Sequence, residues 1–369
     1  MAIKRAQISI SDEVSAVAGL IKELHQDDLA GVIFFCSPRY DLKRLADELD
    51  QGFSCPVIGC STAGEIADSY SESSIVGVSF SADAFRIKTE VVKGLNQFSY
   101  HDAERLAEEL ALNEVCDEFQ NRVLFLLIDG LSLAEEKIAA SLGAVSNVPW
   151  IGGSAGDELN FKQTYVYCDG VFHQDAAVVC LIETNMDIEI CKLQHIKPTN
   201  KEVVVTSADS KARIVHELDG EVAATVYAQQ LGLDVKDLSP AVFSQNPVMI
   251  DIGGEWYVRS IQTSNADGSL TFYCAIENGL PLTISRSGDI VHSLAEKLDE
   301  LEARFSSIEL TLGCDCILRR LEIFNTNKAD AMAPLLRRLK FLGFNTYGEQ
   351  YCSLHVNQTL TSIVFGEKE

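Results

Sequence analysis

The sequence predicts a mixed α/β protein: mixed sheets with helices on the outside, an internally duplicated N-terminal domain and a hairpin-rich C-terminal domain. Three observations carry this prediction. Two stretches of the first half share one order of elements, strand-like segments follow the glycine-rich turn of each, and beyond about Lys201 short strands around tight turns take over.

The first repeat runs AGVIFFCS, DLKRLADELDQGFS and Pro56-Val-Ile-Gly-Cys-Ser-Thr-Ala-Gly-Glu65. The second runs RVLFLLIDG, LAEEKIAASLGAVSN and Pro149-Trp-Ile-Gly-Gly-Ser-Ala-Gly-Asp157. Each is a β-rich apolar run, then an amphipathic helix with leucine or alanine three and four residues apart, then a short strand entering a glycine turn. SSIVGVSFSADAFRIKTEVV and TYVYCDGVFHQDAAVVCLIE follow as strands, which favours mixed over purely parallel sheets, because hairpins demand antiparallel pairs. Asp187–Lys201 is expected to cross to the second domain. There a helix through Glu221–Leu231 and the strands VMIDIGGEWYVRSIQ and LTFYCAIENG surround the turn Asn265-Ala-Asp-Gly268. The end is expected as a closing β-α-β unit: strand SIELTLGCDCILRRLEIF, helix KADAMAPLLRRLKFLG and strand LTSIVFG.

With 369 residues, two packed units are the default, and 47% hydrophobic residues suffice for a large core. Fifty-four acidic against 30 basic side chains give a net charge of −24. Such a surface repels phosphate backbones and anionic headgroups, which argues against nucleic acid and membrane partners. No apolar run is long enough to cross a bilayer, and MAIKRAQISI lacks a following apolar stretch, so a cytoplasmic location is expected. The odd count of 11 cysteines reads as free thiols in a reducing compartment. Homo-oligomerisation stays open.

The turns containing Gly59, Ser61, Thr62 and Gly64, and Gly152, Gly153, Ser154 and Gly156, offer backbone N–H groups that could hold an anionic ligand. Neither has the lysine of a phosphate loop or the spacing of a dinucleotide fingerprint. The plainer reading is a tight turn. Gly152-Gly-Ser154-Ala-Gly156 also matches the pattern of a hydrolase serine, but no helix follows it, so the context fails. Cys314 and Cys316 supply half a zinc site without a second half, and structural burial is the plainer reading. Of seven histidines, His355 lies in Tyr347-Gly-Glu-Gln-Tyr-Cys-Ser-Leu-His-Val-Asn-Gln-Thr359, a polar cluster entering a core strand, and His173 follows the turn at Gly170. Such a cluster either knits a loop or lines a pocket.

At FFCSPRYD, PVIGCSTAGEI, WIGGSAGD with TYVYCDGVFHQDAAV, LDGEVAATVYAQQLG, GCDCILRR and NTYGEQYCSLHVNQT, the chain resembles the FIST family, which pairs N- and C-terminal domains of intracellular signal transduction. The stretches spread from about Phe34 to Thr359. The resemblance implies a FIST N-terminal domain over 1–195, its repeats at about 30–95 and 121–185, and a FIST C-terminal domain over 196–369. It implies a non-catalytic sensor. Some stand-alone bacterial members bind b-type haem through a histidine, sense nitric oxide, and regulate a separate histidine kinase or cyclic-di-GMP enzyme in trans. On that basis haem b is the expected cofactor, with His355 the axial ligand of its iron and His173 the rival. Tyr347, Glu349, Asn357 and Gln358 are the expected neighbours, and Glu349, Asn357 or Gln358 is expected to accept from the second ring nitrogen of His355. The competing readings are a haem-free module for an amino acid or other small metabolite, and a hydrolase using Ser154 or a cysteine.

Overall fold

The computed structural model describes residues 2–114, 116 and 118–368. In the first unit, strand Ile3–Ile8, helix Glu13–Leu24, strand Leu29–Cys36, helix Leu42–Gly52 and strands Val57–Ser61 and Ile75–Ser81 follow one another. Phe85–Lys93, Tyr100–Glu109, Asn121–Ile128, Glu135–Val145, Trp150–Ser154 and Ala176–Thr184 repeat that order. A third unit uses it again: strand Asp187–Leu193, helix Ile290–Glu302, strand Phe305–Cys316, helices Ile317–Asn325 and Ala329–Arg338, then strands Phe341–Thr346 and Leu360–Lys368. In each unit the two middle strands run parallel, while the last strand runs antiparallel to the first.

The closing β-α-β unit therefore belongs with the two repeats. Asp187–Leu193, expected as a crossing, is an edge strand paired with Leu360–Lys368. ILRRLEIF, expected as strand, is helical: it buries Ile317 and Leu318 in one cluster and Ile323 in another, and spends Arg319 on Asp315, four residues before it. Burial on several sides, with Arg319, Arg320 and Glu322 buried too, removes the single apolar stripe by which a helix is read.

Each six-stranded sheet is finished by a hairpin from another unit. Hairpin 166–173 of the second unit pairs with Val57–Ser61 of the first, hairpin 349–356 of the third with Trp150–Ser154 of the second, and hairpin 65–71 of the first with Phe341–Thr346 of the third. The exchange closes on itself. At its centre the Ala63 N–H donates to Asn345 O at 3.0 Å, the Tyr347 N–H to Ser154 O at 3.1 Å and the Gly156 N–H to Ser61 O at 3.0 Å, so every junction is bridged by backbone.

The three sheets face one another across a shared core holding Phe35, Ile58, Phe125, Ile151, Leu312 and Phe344, and Phe35 stacks on Phe344 with ring centres 4.5 Å apart. Helices cover the outer faces. Sheets covered on both sides explain why VIFFC and VLFLLI are apolar at every position instead of alternating.

Between Leu193 and Ile290 the chain makes a hairpin-rich insert with its own core around Val203, Val215, Tyr227, Phe243, Leu270 and Leu282. Its strand order is Glu255–Arg259, Val248–Ile252, Pro281–Ser287, Ile196–Asp209, Ile214–Leu218, Leu270–Phe272, Ile261–Ser264, with Glu221–Val222 also on Ile214–Leu218. The two chain crossings meet at one point. The Gly288 N–H donates to His195 O, while the His195 ring and the Ser287 hydroxyl both bond the buried Glu322 carboxylate. Among the described residues no helix is long and apolar enough to cross a membrane.

Candidate functional site

The glycine stretches sit at the centre of the hairpin exchange. Gly59, Gly152 and Gly153 lie inside buried strands, and their need for glycine is close approach: a methyl group at Gly153 would lie 2.7 Å from Cys314 Sγ. Gly64 alone among these glycines has positive φ, at +138°. Ser61, Thr62 and Ser154 are fully buried and spent on the protein. Ser61 Oγ donates to Gly156 O at 2.8 Å, Thr62 Oγ1 donates to Glu65, and Ser154 Oγ accepts from Gln350 Nε2 at 3.0 Å. As arranged, these residues build a junction and hold no open cradle.

His355 lies on hairpin 349–356 directly opposite Gln350. The expected orientation of its ring is corrected here: Nδ1 meets Gln350 Nε2 at 3.3 Å, whereas Glu349, Asn357 and Gln358 are engaged elsewhere. Asn357 Oδ1 accepts from the Ser260 N–H and Gln358 Nε2 donates to Ser244 O, so both stitch the hairpin root to the insert. Glu349 accepts from Thr346 Oγ1 and from the N–H and hydroxyl of Thr359. Burial lowers the His355 pKa against the pull of Glu136 and Glu135 and favours the neutral ring.

The Nε2 of His355 is buried without a partner, and that orphan nitrogen is the feature a haem iron would use. Space is the obstacle. His355 is 4% exposed, and a methyl group on Gly348 would lie 2.9 Å from Nε2, so backbone occupies the approach. His173 is half-buried on a three-residue strand, beside Lys93 and one residue past Phe172, which lines a groove of about 630 Å³ against helix Leu42–Gly52; His173 does not line it. Among the described residues no group of three or more His, Cys, Asp or Glu is placed to hold a metal. Neither histidine, as arranged, fits a haem. Cys314 and Cys316 are buried, and burial raises both thiols.

Tyr347 does open onto a cavity. A cleft of about 230 Å³ lies where the insert meets the second and third units, walled by Leu131, Glu135, Phe161, Arg213, Thr271 and Tyr273 besides Tyr347. Phe161 stacks on Tyr347 with centres 4.7 Å apart and reaches Tyr273 at 6.3 Å. The Tyr347 hydroxyl donates to Asp157 and accepts from the Asp157 and Leu159 N–H groups, which fixes the ring. Across the cleft Arg213 Nη2 of the insert reaches Glu135 and Glu136 of the body, each at 2.6 Å. Burial alone would lower the guanidinium; the two carboxylates outweigh it and hold it charged. Apart from Tyr347, sequence reading missed these residues. They come from four distant segments, and the acidic start of helix Glu135–Val145 was the one local signal.

The FIST N domain family matches residues 30–221 and the FIST C domain family residues 223–352, so the boundary between them falls inside the insert and the match stops before His355. An uncharacterized protein of Methanocaldococcus jannaschii is 24% identical over 298 residues, covering 73% of this chain. The chain spans 56% of that relative's length. FIST domains are sensory modules of signal transduction that bind small ligands. Matched in order by both domains, the chain belongs to the FIST family.

Proposed function

We propose that this chain senses a small metabolite in the cleft between insert and body, and that the seating of the insert is the signal. The observation that supports it is the cleft itself, whose walls come from both parts, with Arg213 of the insert held by Glu135 and Glu136 of the body. A ligand there has different contacts in open and closed arrangements, and differential affinity is what shifts a conformational population. The cleft is smaller than a typical drug-sized pocket, which suits a compact ligand. Output passes in trans to a histidine kinase or a cyclic-di-GMP enzyme. A thermal-shift screen of small metabolites tests the reading. Compounds that raise the melting temperature should lose that effect in Phe161→Ala, and shifts that persist in Phe161→Ala would place the ligand elsewhere.

A second reading, haem b on His355 sensing nitric oxide, rests on the unpartnered Nε2 and requires Gly348 to part from the imidazole. Haem reconstitution decides it. A Soret band lost in folded His355→Ala but kept in His173→Ala would establish this reading, and the absence of any Soret band would remove it.

A further inference from the structure

Resting on the cleft as the ligand site, we infer that its ligand is a small organic cation, an ammonium or amidinium carried on an apolar or aromatic body. The charge around the cavity is unbalanced. Glu135 and Glu136 share one cation, Arg213, which is the single basic residue among those lining the cleft. Two carboxylates therefore share one guanidinium, with Glu135 the one that lines the cleft.

Glu135 is 2% exposed and lines the cavity, yet its carboxylate takes one hydrogen bond, from Arg213 to Oε2. Among the described residues no donor reaches Oε1. Oε1 is not one of the buried unpartnered atoms among the described residues, so it stays open to the cleft, where an N–H of a cationic ligand can bond it. The rest of the wall suits the same ligand. Phe161, Tyr347 and Tyr273 present three aromatic rings, whose faces attract cations and whose area binds an apolar body.

The start of helix Glu135–Val145 would by itself favour an anion. Glu135 and Glu136 already supply that charge in its first turn, so a ligand carboxylate would meet two like charges. The groups facing Glu135 from the insert are Arg213 and the Tyr273 carbonyl, to which Arg213 Nη1 donates, so the insert offers no second free cation to an anion.

Calorimetric titration of the full chain with phenethylamine, 2-phenylethanol and phenylacetate tests the inference, because the three probes share a ring and differ in charge. Phenethylamine should bind at least tenfold more tightly than 2-phenylethanol, and phenylacetate more weakly than both. Glu135→Gln should erase the amine's advantage over the alcohol. Thr271→Lys, which adds a cation to the cleft wall, should reverse the order of amine and acetate and gives an independent reading if Glu135→Gln does not fold. Equal or tighter binding of the alcohol or acetate, or no binding of any probe, overturns the inference. If Phe161→Ala leaves every measured affinity unchanged, the cleft itself is the wrong site and the proposed function fails with it.

Discussion

Glu65 and Glu349 occupy equivalent places in the first and third units, and each closes the neck of an exchanged hairpin. Glu65 joins Thr62 to the N–H and hydroxyl of Ser74, and Glu349 joins Thr346 to those of Thr359. In the second unit Asp129 does the same between Thr164 and the Asp175 N–H. Burial is the largest influence on both glutamates, raising Glu65 to about 7 and Glu349 to about 8 from an ordinary 4.5 despite their hydrogen bonds. The folded state thus holds protons that the unfolded chain releases. Stability from these groups is complete below about pH 4.5 and is lost as pH rises through 7 to 8, at about 1.4 kcal/mol per unit of displacement. His195 and His355, lowered by burial, act in the opposite sense below about 6.5. The difference between wild type and Glu349→Gln isolates the glutamate. Urea denaturation should show a smaller loss of stability from pH 5 to pH 8.5 in Glu349→Gln, and an unchanged loss would remove Glu349 as its source. Two of the three necks were legible in the sequence, since Gly59-Cys-Ser-Thr-Ala-Gly-Glu65 and Gly343-Phe-Asn-Thr-Tyr-Gly-Glu349 share glycine, threonine, glycine and glutamate at one spacing. The third was not, because its carboxylate comes from the end of a different strand.

At the scale of elements, the parallel strand pair and intervening helix of the first two units were legible from apolar runs and helical spacing, whereas strand Asp187–Leu193 and helix Ile317–Asn325 of the third were not. The hairpins' partners were not. A hairpin's sequence fixes its own turn and alternation, but 65–71, 166–173 and 349–356 each pair with a strand of another unit, and no local pattern records that choice. The pairing depends on backbones meeting closely at the central junction. A methyl group at Gly156 would lie 2.6 Å from Ala63 N, at a junction with no flexible side chain to yield. Gly156→Ala should therefore cost about 1–3 kcal/mol, the usual range for overpacking a filled core. Gly220→Ala is the control: nothing lies within 4 Å of an added methyl there, although its φ of +82° makes alanine strained, so its loss should be limited to that backbone strain. Equal losses for the two variants would show that close packing at the junction is not what requires glycine.

For the whole molecule, the sequence conveyed the hairpin-rich character of the insert but not its placement. The third unit is split by about the length of a small domain, and Asp187–Leu193 finds Leu360–Lys368 only after that excursion. The same long return creates the cleft, since it brings Arg213 and Tyr273 against Glu135, Phe161 and Tyr347. The cleft is thus a product of topology, which explains why Tyr347 was the one wall residue among the sequence candidates. The most direct test of the cleft as the sensing site is hydrogen–deuterium exchange of the full chain, with and without the tightest of the three phenyl probes. Slower exchange is predicted together in 130–136 and 157–161 of the body and in 212–213 and 271–273 of the insert. Protection confined to the groove between helix Leu42–Gly52 and hairpin 166–173, with both walls of the cleft unchanged, would contradict it.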